Sequence, residues 1–373
     1  MQSAFPVVYW LNPGRPRGPE RLRLYIPSSR KGITMNAKTI RSTLLAVLLI
    51  AAASGQDALL CGAGAAEASG PSDPPANGLA ADYPRDAGIE KNAAVVFVDT
   101  FEDWRDDGTQ PPPDSWDGIR RNDTSRTRAI PGNVLIDGRE GPGEHILEIA
   151  CWHAPDRSQT GGLSLKLGNY NNANEGLGEG YDELHVRHYI RFDEDYRGVR
   201  NHGSNLGGRD LTMGNPAWVG MAGIRDVASR GYFYSGLQPY AERGSREFEM
   251  GFYSYHIDKP GPWGDRYEVQ NPIPVDAGKW YCVERHMKLN SVDPATGEAR
   301  KDGVEELWVD GRLSIRREAL RFRKSPSLKI TLYTLETYYH GLPEEFGRSN
   351  PIQVHYDNVV IARDYIGPMR LSE

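Results

Sequence analysis

Cysteine is scarce in this chain of 373 residues, with three in all. Three thiols cannot staple a fold of this size, so stability has to come from apolar burial, for which the length is ample. An excess of positive charge is missing too: the net charge is −6, with acidic and basic residues intermixed. Without a basic tail or a zinc-spaced Cys/His cluster, that balance excludes an electrostatic nucleic-acid binder. There is no Gly-x-Ser-x-Gly elbow, no His-Glu-x-x-His and no Walker-type phosphate loop. Those absences remove serine-hydrolase, zinc-protease and nucleotide-driven chemistries of the usual kinds. No long apolar run follows residue 60, so the mature protein is expected to be soluble, with no membrane partner.

One apolar run does occur, Ser42–Ala53, after the basic stretch Met35-Asn36-Ala37-Lys38-Thr39-Ile40-Arg41. A charged region, a short apolar region and then small residues are the layout of a secretory signal. Met35 therefore reads as the true start, with residues 1–34 a mis-called extension and 35–60 the signal peptide. Residues 61–92, rich in Ala, Gly, Pro, Ser and Asp, read as a flexible linker. The protein is expected to be secreted or periplasmic, as a monomer. Leu60 is too large to precede a lipidated cysteine, so no lipid anchor is expected at Cys61. Cys151 and Cys282 are left as a disulfide pair or as two buried thiols.

What the chain does have is Gly, Pro, Tyr and Trp, at 41, 26, 19 and 8 residues. Short strand patterns are separated by turn residues at Asn133–Ile136, His145–Trp152, Gly162–Leu167, Glu183–Phe192 and Trp218–Ile224. They continue at Phe248–Ile257, Trp280–Leu289, Glu305–Val309, Leu328–Leu335 and Ile352–Ala362. Many short strands with little helical period predict an all-β fold, an antiparallel sandwich or jelly roll, as one domain over 93–373.

The stretch Tyr181–Asp210 carries most of the chemistry. Leu184, Val186, His188, Ile190 and Phe192 alternate with His185, Arg187, Tyr189 and Arg191, so the second set is predicted to face a ligand. A Gly/Asn loop at 201–208 with His202 and Asn205 follows, and then Arg209. On Phe248–His256 the alternation puts Phe248, Met250 and Phe252 inward, and Glu249, Tyr253 and Tyr255 outward. Tyr338, Tyr339 and His340 end another strand. Aromatic faces for sugar rings, Arg and Asn for carboxylates, and Tyr or His for protons suit a sugar chain. Glu249, near Glu247, is the candidate for a glycoside hydrolase, which needs two carboxylates across the scissile bond. His286 reads as a structural hydrogen-bonding group.

Several segments together resemble the polysaccharide lyase family 14 type of alginate lyase and the related glucuronan lyases. They are Val186–Phe192 before the Gly-rich loop, Trp280–Glu284 through Leu289-Asn290, and Asp302-Gly303-Val304. Leu307-Trp308-Val309-Asp310-Gly311 and Tyr356-Asp357-Asn358-Val359-Val360 complete the set. The resemblance spans about residues 93 to 368. It implies a concanavalin-like jelly roll that cleaves an acidic, uronate-containing polysaccharide by β-elimination. No cofactor is required, and a structural calcium is left open, although no Asp-rich loop points to one. The family carries a lysine in a Gly-Gly-Lys-Leu context where this chain has Gly203-Ser204-Asn205-Leu206. A different base, a different uronate or binding without turnover are the alternatives that follow. Elimination needs the uronate carboxylate neutralised, a base for the C5 proton and an acid for the leaving oxygen. Asn205 with Arg187 or Arg209 is expected at the carboxylate, His202 as base, and Tyr253 or Tyr255 as acid.

Overall fold

Short strands bounded by turn residues build two antiparallel sheets that bury their apolar faces against each other. The computed structural model describes residues 78–371 apart from 106–107, 113–114, 156, 172–175, 197–200, 214–221, 241–244 and 267–270, and leaves the side chains of Asn201, His202 and Ala228 undescribed. The described residues all lie within one compact unit, Ser69–Glu373. No α-helix occurs among them.

In chain order the strands begin with β1 (Val95–Asp99), β2 (Gly118–Arg120), β3 (Ser125–Pro131), β4 (Leu135–Ile136) and β5 (Arg139–Glu140). Next come β6 (His145–Cys151), β7 (Gln159–Lys166), β8 (Glu183–Phe192), β9 (Asn201–His202) and β10 (Asn205–Arg209). β11 (Tyr232–Tyr240), β12 (Glu247–Tyr255), β13 (Asp265–Arg266), β14 (Val275–Asp276) and β15 (Trp280–Lys288) follow. The chain closes with β16 (Gly303–Val309), β17 (Arg312–Leu320), β18 (Leu332–Tyr339) and β19 (Ile352–Ala362).

The back sheet runs β17-β16-β15-β8-β19-β6-β3, with β1 also on β19. The front sheet runs β13-β12-β11-β10-β18-β7-β2, with β14 on β12 and β9 on β18. Alternation decides which side chains enter the core between them. From β8, Leu184, Val186, Ile190 and Phe192 go in, and from β12, Phe248, Met250 and Phe252. Each large apolar side chain so buried contributes about 1.5–3 kcal/mol. The expected all-β sandwich is the observed architecture.

Three features depart from expectation. Residues 201–208 form no simple loop: Asn205–Gly207 hydrogen-bond with β11 on one side and β18 on the other. Backbone pairing from two neighbours supplies what the weak strand propensity of Asn and Gly does not. The part of the expected linker from residue 78 is folded, with 3-10 turns at Leu79–Asp82, Pro84–Asp86 and Ile89–Lys91. Ala80 and Ile89 pack there against Val360, Ala362 and Ile366. The cysteines follow one of the two alternatives left open: Cys151 and Cys282 are both free and buried, and burial pushes the Cys151 thiol up to about 12.

The third departure concerns β8, which is buried on both faces. Its outward face is covered by the N-terminal turns and the C-terminal tail. Arg187 is fully buried and binds Asp86 with both guanidinium ends, at 2.5 and 3.3 Å. The Tyr189 hydroxyl accepts the Met369 N–H at 2.9 Å, and His185 Nδ1 sits 3.0 Å from Glu284. Arg191 lies over the Trp280 ring at 5.6 Å. His286 is held at both nitrogens, by Glu306 at 2.6 Å and Glu183 at 2.8 Å. Its role as a hydrogen-bonding residue matches the sequence reading.

Candidate functional site

The front sheet keeps one face open, and a cavity of about 790 Å³ lies on it. Its walls come from β12, β11, β10, β18, β7 and β2 in that order across the sheet. Five strand spacings make it roughly 24 Å long, enough for several sugar rings in an extended chain.

Two glycines clear the floor. A Cβ on Gly236 would come within 2.3 Å of Asn205 Oδ1 and 3.0 Å of the Tyr234 hydroxyl. On β7, Gly162 (φ +144°) pairs with Glu336 on one side and Arg120 on the other. A Cβ there would lie 2.6 Å from Glu336 Cα, and L side chains rarely adopt that backbone.

A polar network fills the cleared space. Tyr234 donates its hydroxyl hydrogen to Asn205 Oδ1 at 2.6 Å. Asn205 Nδ2 donates to Thr334 Oγ1 and to Glu336 Oε1, both at 2.8 Å. Arg120 donates to Glu336 Oε2 at 2.5 Å. Burial pushes the Glu336 carboxyl up, and Arg120 and Asn205 pull it partly back. Beneath the floor, Arg285 from the back sheet donates to the carbonyls of Ser204 and Ser235 at 3.0 and 2.9 Å. That fixes the backbone just before Asn205 and in the middle of β11.

Tyr253 and Tyr255 stand two apart on β12, so both reach the cavity. Their hydroxyls are 3.3 Å apart, and the Gly264 N–H donates to Tyr253 at 3.0 Å. Burial, reinforced by Tyr253, keeps the Tyr255 phenol above its ordinary value. It is a protonated group at neutral pH. Trp263, 45% exposed, extends the aromatic end, while Arg120 and Lys166 form a cationic end on β2 and β7.

Of the residues expected at the site, Asn205, Tyr253, Tyr255, Tyr338 and His340 line this cavity. Tyr338 donates to Ser158 Oγ at 3.0 Å and meets the His340 ring edge-on. His202 pairs in register with Tyr338, and its side chain lies outside the described residues. Arg209 is buried against the Tyr170 and Tyr232 rings beside the cavity. Glu249 is on the outward face of β12 but does not line the cavity. Four expectations are corrected outright: His185, Arg187, Tyr189 and Arg191 belong to the far side of the back sheet. Tyr339 is corrected too, being fully buried in the core, because alternation on β18 sends it opposite to Tyr338.

Sequence reasoning missed Arg120, Tyr234, Trp263 and Glu336. The available signal was Gly161-Gly162 inside a strand pattern, since interior glycines mark a close approach by another group. Among the described residues, no group of three or more His, Cys, Asp or Glu is placed to hold a metal ion. No helix among them is long and apolar enough to cross a membrane.

No family model and no curated protein matches this chain. Solved structures do. Alginate lyase Aly36B, in complex with alginate tetrasaccharide, is 14% identical over 74% of this chain and 98% of its own, with a TM-score of 0.48. An endo-β-1,4-glucuronan lyase from the fungus Trichoderma reesei is 13% identical over 72% and 95%, at 0.44. A GlcNAcα1-4Gal-releasing endo-β-galactosidase from Clostridium perfringens is 9% identical over 72% and 63%, at 0.41. The chain thus resembles alginate and glucuronan lyases, but at these scores the likeness carries no conclusion about activity. Function has to be argued from the groove itself.

Proposed function

We propose that this protein is a secreted polysaccharide lyase that cleaves a uronate-containing polymer by β-elimination. One observation carries the reading: the Tyr253–Tyr255 hydroxyl pair and the Arg120 guanidinium open onto the same elongated cavity. An acidic sugar chain in that groove meets a cation for its carboxylate, phenols for proton transfer and aromatic faces for its rings. In the step itself the C5–H bond breaks, a C4=C5 double bond forms, and the C4–O4 bond breaks. Tyr255, held protonated, donates to the leaving O4. His202, in register with groove-lining Tyr338, takes the C5 proton. A polymer substrate outside the cell accords with a signal peptide starting near Met35.

Near-ultraviolet absorbance tests the reading, with alginate, glucuronan, hyaluronan and pectate offered in turn. A rise with one polymer is the expected result, from the unsaturated uronate left at the new end. Tyr255→Phe and His202→Ala are expected to abolish it without unfolding the protein, and full activity in both would sink these assignments.

Asn205 at the position of the family's lysine favours a second reading, a non-catalytic carbohydrate-binding jelly roll. Retention on a polysaccharide gel with no absorbance rise would support it. A hydrolase is less well supported. Asp117 and Glu336 are the carboxylates among the described lining residues, and Glu336 is already engaged by Arg120 and Asn205.

A further inference from the structure

Asn205 stands at mid-groove, yet it has no hydrogen to give a substrate. A primary amide carries two N–H donors and one carbonyl. Both hydrogens have buried acceptors, Thr334 Oγ1 and Glu336 Oε1, and the carbonyl already accepts from Tyr234. Turning the amide toward a uronate would leave Glu336 or Thr334 without its donor, at a cost of about 1–3 kcal/mol per buried group. The amide is also neutral, whereas a guanidinium brings a full positive charge and a matching fork to the charge that develops on a uronate carboxylate during C5 deprotonation.

The cation in the same network is Arg120. It comes from β2, and its side chain is 43% exposed, so it meets solvent in the groove. Among the described residues its guanidinium has one partner, Glu336 Oε2. The other four of its five N–H donors remain for a ligand, in the fork geometry that matches a carboxylate. Glu336 in turn is fixed at its other oxygen by Asn205. Arg120, Gly162 and Glu336 lie in register across β2, β7 and β18, and the ion pair passes over the glycine between them. Any side chain at Gly162 would crowd Glu336 and the Leu335 carbonyl, at 2.4 Å from the latter. The sheet is therefore built to deliver one oriented guanidinium to the groove from β2, three strand positions from β10.

We propose that Arg120 binds and neutralises the carboxylate of the acidic sugar, and that Glu336, held by Asn205, is the positioning residue that aims it. The inference rests on the lyase reading above and deepens it. Where the family has a lysine this chain has Asn205, and the positive charge in this part of the groove comes from an arginine on another strand. Arg120 enters no bond-making step. It stabilises the enolate-like charge while the proton goes to the base and the electron pair leaves with O4.

The test uses the full mature chain and whichever uronate polymer it cleaves. Arg120→Ala is expected to lower kcat/KM by about 10²- to 10³-fold, the loss typical of removing one group that stabilises a developing oxyanion. The unfolding midpoint should fall, because buried Glu336 loses its cation, so rates are compared per folded molecule, and guanidinium added at non-denaturing concentration should restore part of the rate. Arg120→Lys should recover only part, since an ammonium is a point charge without the fork. Glu336→Gln removes the anchor and a competing negative charge together, so kcat should fall while KM is unchanged or lower. A purely structural Glu336 would show no such split.

Wild-type kcat/KM in Arg120→Ala would overturn the proposal while leaving the lyase reading intact. So would a loss in that variant that guanidinium fails to restore and Glu336→Gln does not share in kcat. If the wild type cleaves no uronate polymer, the lyase reading falls, and retention on an immobilised polyuronate reads Arg120 alone. Retention lost in Arg120→Ala would then support the carboxylate contact, and equal retention would refute it.

Discussion

Acidification should weaken this fold through one histidine in its core. His188 points from β8 into the sandwich, fully buried, and neither ring nitrogen finds a hydrogen-bond partner among the described residues. Burial, with Arg285 and Arg187 nearby, pushes its pKa from 6.5 down to about 3, and the uncharged Tyr356 ring is its aromatic neighbour at 5.7 Å. The unfolded chain binds a proton near the ordinary value, and the folded chain does so only near pH 3. Stability from this residue is therefore complete above about pH 6.5 and declines as pH falls toward the folded value. Each unit in that window costs about 1.4 kcal/mol, so roughly 2 kcal/mol is gone at about pH 5, and the total is on the order of 5 kcal/mol. His355, pushed down to about 4 chiefly by burial, adds a slope of the same sign, so the wild-type curve alone does not isolate His188. His188→Phe does, because an apolar ring of similar size removes the titration and leaves no polar atom unpaired. Urea unfolding near pH 7 and near pH 5 should show the variant losing about 2 kcal/mol less than wild type between the two, with equal m-values. An equal loss in both proteins would refute the argument.

Two further outcomes separate scaffold from groove. Asp86→Ala leaves the buried Arg187 charge unpaired and should destabilise the protein by about 3–5 kcal/mol in denaturant titrations, with kcat per folded molecule unchanged. A fall in kcat at constant folded fraction would return Arg187 to the site. Trp263→Ala should weaken polymer binding about 2- to 10-fold, as expected for one stacked ring, while leaving the unfolding midpoint in place. Unchanged affinity would remove Trp263 from the groove's binding surface.

The alternation on β8 and β12 was legible in the sequence, and so were the sandwich and the inward set Phe248, Met250 and Phe252. The identity of the open face was not. Periodicity separates two faces of a strand, but it does not say which one a non-periodic segment later covers. Here Pro84-Arg85-Asp86 and the tail around Ile366–Met369, which have no period, cover the His185/Arg187/Tyr189 face. The groove residues that escaped notice are joined across strands. Arg120 and Glu336 are 216 residues apart in sequence and meet only because both pair with Gly162.

How far each charge is already satisfied is what tells the two faces apart. On the back sheet Arg187 has Asp86, His185 has Glu284, and His286 has Glu306, all in buried geometry, with Glu183 on the second nitrogen of His286 from an exposed position. That face was the densest chemical signal in the sequence, and through Arg187, Glu284 and Tyr189 it holds Asp86 and Ile366–Met369 over the back sheet. On the front sheet Arg120 is anchored by a single oxygen in an open cavity that also holds Tyr255, a phenol kept protonated by burial. A cation fixed at one end with donors to spare can act on a ligand, whereas a cation bound at both ends is part of the scaffold. By that measure the proposed lyase chemistry belongs to the front-sheet groove, on β2, β9, β12 and β18, and the arginine-rich face of β8 belongs to the scaffold.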